Sequence, residues 1–104
     1  MGVDADLTAG SALLPYVRAF IEHLALSELA PRTIRRHVDN LWSIGGEIIR
    51  DLHWDPSLRK RSGEWLLQKA VHEFGGPRIH NGSEAQQRSV DTTSRLFHRF
   101  LSSR

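Results

Sequence analysis

The chain has 104 residues, 39% hydrophobic and 25% charged, with no cysteine, so it suits one globular domain with one core and has no disulfides, thiolate metal sites or cysteine nucleophiles. Fourteen Lys and Arg against twelve Asp and Glu leave a formal charge of +2. No apolar run approaches the roughly 18 residues that a membrane span needs.

Segment Met1 to Ala12 lacks the basic start and apolar stretch of a signal peptide. It is expected as a flexible lead-in to a cytoplasmic protein, with residues 13–104 forming a single helical domain. The dominant period along the chain is helical, and no alternating β-branched run is long enough for a strand, so the fold class is all-α. A first helix is expected from Ser11 to Leu29, with Leu13, Val17, Phe20, Ile21 and Leu24 on one stripe and Pro15 in its first turn. Pro31 then opens a second helix running to Leu52, whose buried stripe reads Ile34, Val38, Leu41, Gly45, Ile48, Ile49 and Leu52. Gly45-Gly46 in its middle implies either the close approach of another helix or a kink.

Asp55-Pro56 breaks the pattern, and Ser57 to Arg61 is a short basic connection. A third helix from Gly63 to Phe74, N-capped by Ser62, is expected to bury Leu67, Ala70, Val71 and Phe74, and to stop at Gly75-Gly76-Pro77. Ser83-Glu-Ala-Gln86 has the capping-box form and opens a fourth helix reaching Ser102. The expected architecture is therefore a compact four-helix domain without repeats.

The sequence offers little to catalysis. The six histidines, at 23, 37, 53, 72, 80 and 98, never fall at i, i+3 or i, i+4, so no metal cluster or cofactor is expected. Phosphate-cradling glycine loops and nucleophile elbows are also missing, which argues against an enzyme and against a small-molecule substrate. The three tryptophans at 42, 54 and 65 read as core or rim packing rather than platforms for stacked bases.

Charge distribution is more informative. Residues 1–31 carry one base and four acids, 32–61 seven and four, and 62–104 six and four, with twelve of the fourteen bases Arg. Arginine's planar fork suits phosphates and guanine edges. On the fourth helix Arg88, Thr92, Arg95 and Arg99 fall at i, i+4, i+7 and i+11 and form one cationic ridge opposite Val90, Phe97 and Leu101, with Asp91 interrupting it near its start. The face of the second helix opposite Ile34 and Val38 carries Arg32, Arg36, Asp39, Ser43, Glu47 and Arg50. The plain alternative is that such faces are simply solvated helix surfaces.

The segments Tyr16-Val-Arg-Ala-Phe-Ile-Glu-His-Leu24, Leu29-Ala-Pro-Arg-Thr-Ile-Arg-Arg-His37 and Val90-Asp-Thr-Thr-Ser-Arg-Leu-Phe-His-Arg-Phe-Leu101 resemble the N-terminal core-binding (SAM-like) domain of tyrosine recombinases, or phage integrases, over roughly Leu13 to Leu101. Ala30 stands where that family usually has a capping Ser. The resemblance implies half of a clamp around duplex DNA, as in DNA recombination and integration by mobile elements. Its second and fourth helices would face phosphates and the major groove: Arg32, Thr33 and Arg36 from one, Arg88, Thr92, Arg95 and Arg99 from the other. Arg59, Lys60 and Arg61 are further candidates for phosphate contact on charge alone.

The family's catalytic His-x-x-Arg occurs nowhere in this sequence, and the sole tyrosine, Tyr16, lies in the first helix. The chain by itself is therefore expected to bind DNA without cutting or joining it, either as an excised domain beside the rest of a recombinase or as a free-standing protein. The alternative function is a stand-alone helical protein–protein module, an inhibitor or adaptor of mobile-element origin, which would display a contiguous exposed apolar patch around Trp54 or Trp65.

Overall fold

The computed structural model describes the backbone of residues 3–103 and the side chains of residues 7–103. Four α-helices follow one another: α1 Val3–Ala25, α2 Pro31–Trp54, α3 Gly63–Ala70 and α4 Glu84–Ser102, with a 3₁₀ turn at Pro56–Lys60 between α2 and α3. Among the described residues the one strand-like feature is an isolated antiparallel bridge between His72 and Gly75. The domain is all-α, as the hydrophobic period requires.

Helix α1 starts at Val3, not Ser11, so residues 3–10 are helical ahead of the expected start; Met1 and Gly2 lie outside the described residues. Pro15 consequently sits inside the helix rather than in its first turn. The helix ends at Ala25, short of Leu29, because the Ser27 hydroxyl donates 2.6 Å to the Leu24 carbonyl and competes for the terminal acceptors. Helix α2 begins at Pro31 with Ala30 in a capping conformation (φ −65°, ψ 148°) but without a side-chain cap bond, as the missing serine oxygen implies.

Helix α3 is shorter than its apolar spacing suggested. Val71 leaves the helix at φ −109°, ψ 135°, and the chain folds back through a tight turn in which His72 and Gly75 exchange backbone hydrogen bonds of 2.9 and 3.2 Å. Gly75 takes φ +153° there, a conformation that only glycine adopts readily. Phe74, expected in the core, rides the tip of this turn and is exposed. Helix α4 has the anticipated start, with the Ser83 hydroxyl accepting 3.1 Å from the Gln86 N–H, and the anticipated end at Ser102.

The core lies between all four helices. Phe20 of α1 stacks on Phe97 of α4 with ring centroids 4.7 Å apart, and Phe100 closes on the same ring at 5.3 Å. Ile44, Leu52, Leu67, Val71 and Val90 belong to the same core, all essentially inaccessible to water. Burying side chains of this size contributes about 1.5–3 kcal/mol each. Helix α3 reaches the core by pressing its first residue, Gly63, against the backbone of Ala12 in α1; a side chain at position 63 would hold the two helices apart.

Helix α2 is rotated relative to its expected stripe. Leu41, Ile48 and Leu52 are buried, but His37, Asn40 and Ile44 complete the buried face, while Val38, Gly45 and Ile49 lie at its edge. Neither Gly45 nor Gly46 meets another element: an added Cβ at either finds nothing within 4 Å. The glycine pair therefore borders open space, which removes the first of the two expected alternatives, the close approach of another helix.

Candidate nucleic-acid interface

Helix α4 buries Val90, Thr93, Ser94, Phe97 and Leu101, so by the helical period its opposite side is the one carrying Arg88, Thr92, Arg95 and Arg99. All four are exposed, and the ridge read from the sequence projects into solvent. Its side chains are partly ordered by one another. The Thr92 hydroxyl donates 3.0 Å to the Arg88 carbonyl and accepts 3.3 Å from Arg95 Nη2, while Arg95 Nη1 donates 3.3 Å to the carbonyl of Phe74. Arg88 pairs with Glu84 at 3.9 Å, but both side chains are exposed, and such a pair contributes little.

Asp91, which interrupts the ridge in the sequence, turns away from it. Its Oδ1 accepts 3.1 Å from the Gly76 N–H and 3.0 Å from Gln87 Nε2. Glu47 of α2 is similarly engaged, accepting 3.2 Å from the His80 N–H. Asp91 and Glu47 are thus tied to the α3–α4 loop, while Asp39 stays exposed on the α2 face that carries Arg32 and Arg36.

On α2, Arg32 and Arg36 are exposed and Thr33 is half-buried. What relates them to the α4 ridge is a polar seam between the helices. His37 Nδ1 shares a 2.7 Å hydrogen bond with Thr93 Oγ1. Asn40 Nδ2 donates to Thr93 Oγ1 at 2.9 Å, to Ser89 Oγ at 2.9 Å and to the Ser89 carbonyl at 3.1 Å. Pairing His37 with Thr93 and Asn40 with Ser89 makes the two helices antiparallel and fixes their register.

On both helices the seam residues lie between the core side and the outer side, and antiparallel pairing gives the step from core to seam the same rotational sense on each. Arg32 and Arg36 therefore continue beyond the seam onto the outward side shared with Thr92 and Arg99. The register sets Arg36 level with Thr93 and Ser94, and Arg32, one turn earlier, level with Phe97 and His98, so both flank the C-terminal half of the ridge. Arg88 lies further along, beside Leu41 and Trp42.

Among known protein families, curated proteins and solved structures the chain finds no match. What it offers an interacting molecule is read from its own side chains. Guanidinium groups from two helices joined by a hydrogen-bonded seam and interleaved with hydroxyls form a surface rich in donors suited to anions. Burial, and then the neighbouring charge of Arg36, lowers the pKa of His37 below its ordinary 6.5 and favours the neutral ring within the seam. Among the described residues no group of three or more His, Asp or Glu could hold a metal ion.

The basic connection is organised differently. The Arg61 guanidinium sits 4.6 Å and the Lys69 ammonium 5.1 Å from the Trp65 ring centroid. Trp65 is thus half-buried beneath two cations, an arrangement that stabilises it in place. Trp42 and Trp54 depart from the packing role expected of them, at 76% and 80% exposed. Sequence reasoning missed the seam itself. Its signal was available: His37 and Asn40 at i, i+3 lie within the arc of buried α2 positions, and Ser89 and Thr93 at i, i+4 mirror them on α4.

Proposed function

We propose that the outward side of the α2–α4 pair binds duplex DNA, chiefly through its phosphates, without catalysing strand exchange. The observation that carries this reading is the seam of His37, Asn40, Ser89 and Thr93. It gives two arginine-bearing helices one register and brings Arg32 and Arg36 to the side of the α4 ridge. The resemblance of the helix-turn segment and the last helix to the recombinase core-binding domain supports the same reading, with Arg32, Thr33, Arg36, Arg88, Thr92, Arg95 and Arg99 as the contact set. Phosphate contacts would set position and most of the affinity, and any base reading would come from the same arginines at guanine edges.

Substitution of Arg88 and Arg95 by Ala in one chain tests this reading. Both side chains are exposed, so the thermal midpoint should hold while affinity for any duplex falls several-fold. Unchanged affinity would refute the assignment. A second reading, a helical protein–protein module, is favoured by one observation: an exposed apolar groove between α1 and α2, centred on Trp42 rather than on Trp54 or Trp65.

A further inference from the structure

Helices α1 and α2 leave between them a groove of about 660 Å³ on the side of α2 away from α4, lined by Leu14, Val17 and Ile21 of α1 and by Val38, Trp42 and Ile49 of α2. Three large apolar residues stand out of this surface: Leu7 is 63% exposed, Leu14 47% and Trp42 76%. Beside them are depressions at Gly10, Gly45 and Gly46, where an added Cβ would meet nothing within 4 Å. Among the described residues the charged ones lining the groove are Arg18 and Glu22, one helical turn apart on α1.

We propose that this groove is the interface of a two-fold symmetric dimer of the chain. A two-fold interface uses the same patch on both subunits, so the patch must complement itself. This one carries both halves of such a fit. Projecting Trp42 and Leu14 lie next to glycine hollows of matching apolar character, and an Arg and a Glu one turn apart can be paired reciprocally when α1 meets a second, antiparallel α1. Arg18 and Glu22 together give the described lining one charge of each sign, the balance that reciprocal self-pairing uses.

Size sets the strength. Leu7 to Ile21 spans about 20 Å of helix at 1.5 Å per residue, and two helices packed 8–10 Å apart give a strip of similar width. Such a strip buries on the order of 800 Å² over both subunits, below the roughly 1,000 Å² that a stable dimer needs, so the association is weak and transient. The dimer is therefore concentration-dependent, with dissociation in the micromolar range or above. It uses a different side of α2 from the proposed DNA face, so either proposal can fail without the other.

Sedimentation equilibrium of the intact chain from about 1 µM to about 1 mM tests it, a range that brackets such affinities. The expected result is a mass rising from 11.8 kDa toward twice that value, with Trp42→Ala shifting the transition at least tenfold to higher concentration at unchanged helical circular dichroism. Arg18→Glu and Glu22→Arg should each weaken the dimer, and the double charge swap should restore it to within about threefold of the wild type. A mass that stays at the monomer value throughout overturns the proposal, whether another molecule or none covers the groove. A double swap no better than the single reversals overturns it as well, since self-pairing requires the rescue. DNA affinity measured below the dimerisation range reads the other face alone, where Trp42→Ala should leave it unchanged.

Discussion

Two glycine-to-alanine substitutions in helices should move stability in opposite directions. Gly63 opens α3 against α1: a Cβ there would lie 2.6 Å from the carbonyl carbon of Ala12 and closer still to its oxygen. Both are backbone atoms of a neighbouring helix and cannot swing aside, so α1 and α3 must separate by about 1 Å to regain ordinary contact. Overpacking of this kind costs about 1–3 kcal/mol. Gly46, in contrast, lies in the exposed middle of α2 with nothing near its Cβ position, so alanine there should add up to about 1 kcal/mol from helix propensity. At roughly 4–8 °C per kcal/mol for a domain near this size, Gly63→Ala should lower the melting temperature by about 5–20 °C and Gly46→Ala should raise it by a few degrees. Thermal melts followed by circular dichroism, at concentrations where the chain is monomeric, read both. A Gly63→Ala variant as stable as the wild type would refute the close α1–α3 contact on which the core is closed.

Three further outcomes follow from local geometry. Ala30→Ser should stabilise the chain by about 0.5–1 kcal/mol, since the backbone already has a capping conformation and lacks only the oxygen; a urea midpoint that does not rise would contradict the assignment of the α2 start. Asn40→Ala should cost about 1–3 kcal/mol by removing the amide that bridges Ser89 and Thr93, and a loss below 0.5 kcal/mol would show the seam to be unimportant for stability. His37 has a lowered pKa in the folded chain, so below about pH 6.5 the unfolded state binds more protons and stability falls as pH falls. Urea titrations between pH 7.5 and 5 should show that decline, with a shallower slope in His37→Gln; equal slopes would remove His37 from the account.

Much of the fold was legible because helices announce themselves through period and punctuation. Pro31, Ser62 and Ser83 each mark a helix start where the structure has one, and the last helix ends at Ser102 as its apolar spacing requires. Legibility failed where tertiary contact decided. The apolar spacing of Leu67, Ala70, Val71 and Phe74 is as helical as that of α4, but Gly75 and Asp91 draw the chain into a tight turn that strips Phe74 from the core. The stripe on α2 was misplaced because His37 and Asn40 count as polar in any hydrophobic pattern, and only their partners on α4 make them interior. Those same residues organise the candidate site: spacing along single helices revealed the arginines, while the register relating one helix to the other required the structure.

The central claim is that the α2–α4 side binds duplex DNA by neutralising phosphates. Its most direct test is fluorescence anisotropy of a labelled mixed-sequence duplex titrated with the chain over a series of salt concentrations, beside a control protein of equal net charge. With four to six phosphates engaged, the logarithm of the association constant should fall against the logarithm of salt with a slope between about −3.5 and −5.5, at affinities well above the control. Binding no stronger than the control at low salt would contradict the claim, and leave the arginine ridge as a solvated helix surface.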